Sequence, residues 1–155
     1  MNSTLFDLSF YLAAPFWALM ILVPTWGWTR RIMSSPWIVA PVLVVWAILA
    51  APLFPELWDL VTTPSLDKAV AITADPAAVA LFWAQIIGWD LFIGRWIYLD
   101  SRQRRAHPLV MGPILVFTIL LSPIGLPLYL LLRPVLGSAS RDKECAGTPG
   151  VGSPA

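Results

Sequence analysis

The sequence predicts an all-α fold, a polytopic membrane bundle of four transmembrane helices with a disordered C-terminal tail. Three observations carry that prediction. Of the 155 residues, 58% are hydrophobic and the mean hydropathy is +0.75. Only 12% are charged, against roughly 25% in soluble domains, too few to cover a water-soluble surface. Four apolar segments stand out, each near the roughly 20 residues a helix needs to cross a bilayer. Lipid offers no hydrogen-bond partners, so each segment has to satisfy its own backbone as a helix.

The segments follow in order. The first spans residues 5–24, with Pro15 as a candidate kink. The second spans residues 37–58 and is interrupted by Pro41, Pro52 and Pro55. The third, residues 76–99, has a clear start: Asp75 can cap the helix, and Pro76 sits where a missing N–H costs nothing. The fourth spans residues 109–132 and contains "SPIGLPLYLL", where Ser122, Pro123, Gly125 and Pro127 predict a bend that could shape a pocket. Residues 1–134 thus form one transmembrane domain. Residues 135–155 end in "GTPGVGSPA" and read as disordered, since that composition cannot bury a core.

Loop charge predicts the orientation. Loop 25–36 carries Arg30 and Arg31, and loop 100–108 carries Arg102, Arg104 and Arg105 against Asp100. The intervening loop is acidic, with Glu56, Asp59, Asp67 and Asp75 against Lys68. Basic loops stay on the cytoplasmic side. Loops 25–36 and 100–108 are therefore expected on the cytoplasmic or stromal side, with both termini outward. Arg133, Arg141 and Lys143 run counter to this, though Asp142 and Glu144 interrupt them. The start lacks a secretory signal or a long transit peptide, so the chain is expected to be complete or already trimmed. Its membrane is then a bacterial inner or photosynthetic membrane, or a plastid membrane in a eukaryote.

Several functions find no support. The net charge of +1 does not suggest a nucleic-acid partner, and the lone Cys145 cannot form an internal disulfide. No P-loop, G-x-G-x-x-G, C-x-x-C, H-E-x-x-H or G-x-S-x-G is present, so no cofactor and no metal are expected. His107, beside Pro108, reads as an interface histidine. Most of the nine Trp lie near segment ends and read as an interfacial belt.

"DLFIGRWIYLD", residues 90–100, holds Asp90, Arg95 and Asp100 in an apolar segment. Asp90 lies about 20 Å along the helix from Pro76, where an ionised side chain costs about 2.5–3.5 kcal/mol. It is expected to face the bundle interior, as a proton-transfer group or as a helix–helix hydrogen bond; the residues leave both open. Trp83, Ile87, Asp90, Gly94 and Ile97 form one stripe, and Gln85, Trp89, Phe92 and Trp96 another. Arg95, five residues from either Asp, is badly placed for a bridge within its own helix and reads as interfacial. Asp100 and the arginines after it read as a solvated topology signal. Gly94 allows close approach of another backbone or a ligand.

"PFWALMILVP" with "TRRIM", then "WDLFIGRWIYLD", then "SPIGLPLYLLLRP" resemble the abscisic-acid-deficient 4 family of small four-helix membrane proteins. The D-x-x-x-G-R-W-x-x-x-D pattern at Asp90, Gly94, Arg95, Trp96 and Asp100 is its most specific part. The resemblance implies a role in carotenoid (xanthophyll) metabolism, since plant members are needed to make neoxanthin from violaxanthin. That conversion is an isomerisation: the epoxide C–O bond breaks, its oxygen gains a proton, and a carbon loses one to leave an allene. It needs an acid and a base, and lipid favours the neutral, proton-donating form of a carboxylic acid. The implied catalytic set is Asp90 as acid, with Arg95 or Tyr98 stabilising the oxygen. The implied pocket is lined by Gly94, Trp83, Gln85, Ser122 and Gly125. Expected partners are membrane lipid and a carotenoid or other isoprenoid, with a second copy or an enzyme partner also open. A noncatalytic carotenoid-binding subunit and a small transporter stand as alternatives to the isomerase.

Overall fold

The computed structural model describes residues 2–146, in which helices account for the regular structure and there is no strand. They are α1 (Asn2–Leu22), α2 (Gly27–Ser34), a 3-10 turn (Pro36–Val39), α3 (Ala40–Ala50), α4 (Phe54–Thr62), α5 (Leu66–Thr73), α6 (Pro76–Gln103), α7 (Pro108–Leu120) and α8 (Ser122–Ala146).

α6 is the axis of the bundle. It begins as expected: Asp75 Oδ1 accepts from the Ala77 amide at 2.8 Å, and Pro76 fills the first helical position. It runs four residues past the expected end, because nothing before Arg104 breaks the ladder, and stops as Arg105 turns to φ 55°. α1 lies parallel to it. Phe6 stacks on Trp83 at 4.9 Å near one end, and Tyr98 donates to the Pro24 carbonyl at 2.8 Å near the other. Between them, a Cβ added at Gly94 would come within 2.6 Å of Trp17 Cζ3. α3 lies antiparallel, with Val42 against Gly88 and the Ser34–Ser35 carbonyls reaching Arg95.

The expected second span, residues 37–58, is shorter. Pro52 and Pro55 remove the amides that would continue the ladder beyond Ala50; Pro41 is harmless because it falls at the start of α3. Residues 54–73 form instead two short helices, joined by Lys68 Nζ and Asp59 Oδ2 at 2.7 Å. α4 buries no residue, and its Phe54 and Trp58 stack at 6.2 Å on an exposed face.

The expected fourth span is a helical hairpin. α7 ends at Leu120, and α8 turns back. Arg133 and Tyr129 both reach Asp100, near the end of α6 where α7 began. Had α8 continued in the direction of α7, Arg133 would lie about 37 Å from that end. Gly125 closes the turn against Thr118, its mirror position across the break: a Cβ at Gly125 would meet Thr118 Cα at 2.5 Å and its N at 2.7 Å. Pro123 and Pro127 suit a tip at membrane depth, since they present no amide to be left without an acceptor.

By length and composition, then, α1 and α6 are candidate spans, and α2 with Pro36–Ala50, bent by 80°, makes up to three. The four spans expected from the sequence are not confirmed. α8 also carries helix through residues 135–146, part of the stretch expected to be disordered; that part contains no Pro, and "GTPGVGSPA" begins only after it. Residues 147–155 lie outside the described residues.

If α1, the bent segment Pro36–Ala50 and α6 each cross, three crossings separate the termini. An impermeant maleimide should label the native Cys145 from the same side as a Gln103→Cys probe, and a Ser65→Cys probe from the opposite side (both probes in a Cys145→Ser background). Four crossings would put Cys145 and Ser65→Cys on one side.

Candidate functional site

Between α3 and α6 lies an open groove of about 350 Å³. Val39 and Leu43 form one wall, Gln85, Trp89 and Phe92 the other, and Ala84 and Gly88 the floor. The spacing explains the shape. Gln85, Trp89 and Phe92 recur at four and three residues, so they line one edge of α6. The floor is small because α3 packs close there. Along α6, Gln85 to Phe92 lies about 14–24 Å from Pro76, across the middle of a hydrocarbon core of about 30 Å. Trp89 is 57% exposed, Leu43 48% and Phe92 46%, so the groove opens sideways, toward acyl chains. Gln85 supplies its one amide side chain.

The residues singled out in the sequence fall into three places. Asp90 is 5% exposed, on the stripe with Trp83, Gly94 and Ile97, in which Trp83 and Gly94 meet α1. Protein shelters the carboxyl group, as its cost in lipid requires. Five residues separate it from Gln85, which is about 140° around the helix, so carboxyl and groove lie on different faces. The space at Gly94 is filled by the Trp17 ring. Trp83 is stacked on Phe6, and its Nε1 is buried with no hydrogen-bond partner. Of the implied pocket residues, Gln85 alone lines the groove.

Arg95 and Tyr98 have local tasks. Arg95 donates from Nε to the Ser35 carbonyl at 3.2 Å and from Nη2 to the Ser34 carbonyl at 2.9 Å. Those carbonyls end α2 and would otherwise lack partners, so Arg95 braces the bend between α2 and α3. Tyr98, 1% exposed, holds the turn after α1 through Pro24.

Gly125 and Ser122 belong to the hairpin tip; the Ser122 side chain is outside what the structure describes. Trp96 meets Tyr129 edge-on at 5.8 Å and Asp100 meets Arg133, pairs with the same offset of 33 residues. That offset sets Pro123 level with Asp90, so the tip reaches the depth of the buried carboxyl.

The sequence reading missed Asp100. It is not a solvated loop charge but the hub of a cluster joining α6 to α8. Its Oδ2 accepts from Tyr129 at 2.5 Å, Arg104 Nε at 2.9 Å and Arg133 Nε at 3.0 Å, and its Oδ1 from Arg133 Nη2 at 3.0 Å. Arg133 also lies over the Trp96 ring at 5.7 Å. A signal existed: Trp96 and Asp100 are four apart, and so are Tyr129 and Arg133, so each pair shares a helix face. His107 accepts through Nδ1 from the Leu109 amide at 3.3 Å, capping α7. Among the described residues, no group of three or more His, Cys, Asp or Glu side chains is placed to hold a metal ion.

A family model described as ABA DEFICIENT 4-like matches residues 4–129. No curated protein and no solved structure matches. The matched stretch contains the groove, Asp90, Asp100 and Tyr129, and ends before Arg133.

Proposed function

The chain belongs to the ABA DEFICIENT 4-like family, and from that premise we propose that it is a membrane protein of carotenoid metabolism that holds a carotenoid or related isoprenoid in the groove between α3 and α6. The observation that carries this reading is the groove itself: an open apolar trough with one aliphatic wall, one aromatic wall and one amide, on a helix long enough to span a bilayer. A polyene is a flat apolar rod that reaches such a site only through lipid. Trp89 and Phe92 offer ring faces to it, and Gln85 can hydrogen-bond an oxygen on its end group.

Copurification of pigment from a carotenoid-producing bacterium supplied with violaxanthin tests this. Wild type is expected to retain xanthophyll. Gly88→Leu, which fills the floor next to Val42, should lower retention per folded protein at least about tenfold, the loss of about 1.4 kcal/mol of binding. Gln85→Leu should lower retention of oxygenated carotenoids more than of hydrocarbon ones. Equal retention by wild type and Gly88→Leu would remove the groove from the proposal.

The burial of Asp90 favours a second reading, the isomerase, because a sheltered acid beside the hairpin tip can serve as a proton donor. It needs substrate to enter the bundle interior on the opposite face of α6 from the groove. New allenic pigment formed by wild type and abolished in Asp90→Asn, at equal membrane abundance, supports it. Violaxanthin retained unchanged supports binding without catalysis.

A further inference from the structure

The end of the bundle where α1 and α6 finish carries arginines that the proposed function does not use. Arg30 and Arg31 lie exposed on α2, and Arg105 is exposed beyond the end of α6, with Arg102 half-buried in its last turn. Tyr98 on α6 donates to the Pro24 carbonyl and Thr29 on α2 to the Val23 carbonyl, which places α2 beside the last turns of α6. Among the described residues none of the four arginines makes an ion pair, because the nearby Asp100 is occupied by Arg104 and Arg133.

The setting of α2 gives those charges a direction. Thr29 and Met33 are fully buried against the bundle, and Thr29 donates to the Val23 carbonyl at 2.9 Å. Arg95 ties down the other end of α2. The helix stands at 80° to the segment that follows it, so it lies along the membrane surface when that segment crosses. Trp26 and Trp28 are more than half exposed, and Trp28 sits under the Arg31 guanidinium at 5.4 Å. Exposed Trp beside Arg on a surface-lying helix is the pattern of a headgroup contact, with indole at the glycerol level and guanidinium at the phosphate.

We propose that α2, with Arg102 and Arg105, forms a binding surface for anionic glycerophospholipid headgroups. Charge complementarity argues for that occupant. Four cations without acidic partners face the level of lipid phosphates, and guanidinium pairs with phosphate through two parallel hydrogen bonds.

The test is native mass spectrometry of the purified full chain titrated with phosphatidylglycerol and, separately, phosphatidylcholine of the same acyl chains. Wild type is expected to prefer phosphatidylglycerol by about tenfold or more, and Arg30→Gln/Arg31→Gln by no more than about twofold. Arg30→Lys/Arg31→Lys should keep most of the preference, and Lys68→Gln, at the other end of the molecule, all of it. Arg102→Gln gives an independent reading if the double variant does not fold. Inorganic phosphate in excess should leave the bound lipid in place. Equal affinity for the two lipids, an undiminished preference in both Arg→Gln variants, or displacement by inorganic phosphate would each overturn the proposal.

Discussion

Gly125→Ala is expected to be the most damaging single-atom addition in the described structure. The new Cβ would meet Thr118 Cα and N at 2.5 and 2.7 Å, backbone atoms that cannot rotate away. Thr118 is itself fixed, fully buried and donating its hydroxyl to the Ile114 carbonyl at 2.8 Å. Relief therefore requires α7 and α8 to separate, pulling the hairpin off α6. Overpacking of this kind costs about 3 kcal/mol, or a drop on the order of 10 °C in melting temperature for a chain of this size. The partner experiment is Thr118→Ala, which leaves the Gly125 contact with Thr118 Cα and N unchanged. In the Gly125→Ala background it removes the contact of the new Cβ with Thr118 Oγ1 but should rescue little, because the main-chain contacts remain. Wild-type melting of Gly125→Ala would mean that α7 and α8 do not pack as a hairpin.

How much of this was legible in the sequence depends on whether the cause was local. The membrane class, the Asp75–Pro76 start of α6 and the sheltering of Asp90 each follow from composition, a cap, or the cost of a carboxylate in lipid. The hairpin did not follow. Residues 109–132 have the length and apolarity of a single span, and a Pro-Gly-Pro cluster fits a kink as well as a reversal. What decides it is tertiary: the touch of Gly125 on Thr118 and the reach of Arg133 to Asp100. The tail charges had pointed the same way. Arg133, Arg141 and Lys143 ran against an outward C-terminus, and α8 returns toward the end carrying Arg30, Arg31, Arg102 and Arg105. The candidate site was less legible still. The stripe through Gln85, Trp89 and Phe92 was visible, but its other wall comes from α3, and no pattern within one helix reports a groove between two. Arg95 and Tyr98 looked chemical because they are polar in an apolar run, yet their donors go to backbone carbonyls at helix ends.

Asp100→Asn is expected to loosen the hairpin without disturbing the packing of α6 on α1 and α3. The substitution keeps the shape and removes the charge that two guanidiniums and one phenol converge on. Breaking a buried ion pair costs about 3–5 kcal/mol, but the Arg104 and Arg133 side chains are 31% and 38% exposed, so solvent takes up part of the loss. We expect about 2 kcal/mol. Tyr129→Phe, which removes one neutral donor and keeps the Trp96 contact, should cost about 1 kcal/mol. The diagnostic is coupling. Arg133→Gln on top of Asp100→Asn should add much less than it costs alone, whereas Lys68→Gln should add independently. Limited proteolysis then locates the effect: in Asp100→Asn, cleavage in residues 122–146 should rise while cleavage in the loops at 23–26 and 51–53 stays at the wild-type rate. Strict additivity of Asp100→Asn and Arg133→Gln would break the hub, and with it the main argument that α8 folds back along α6.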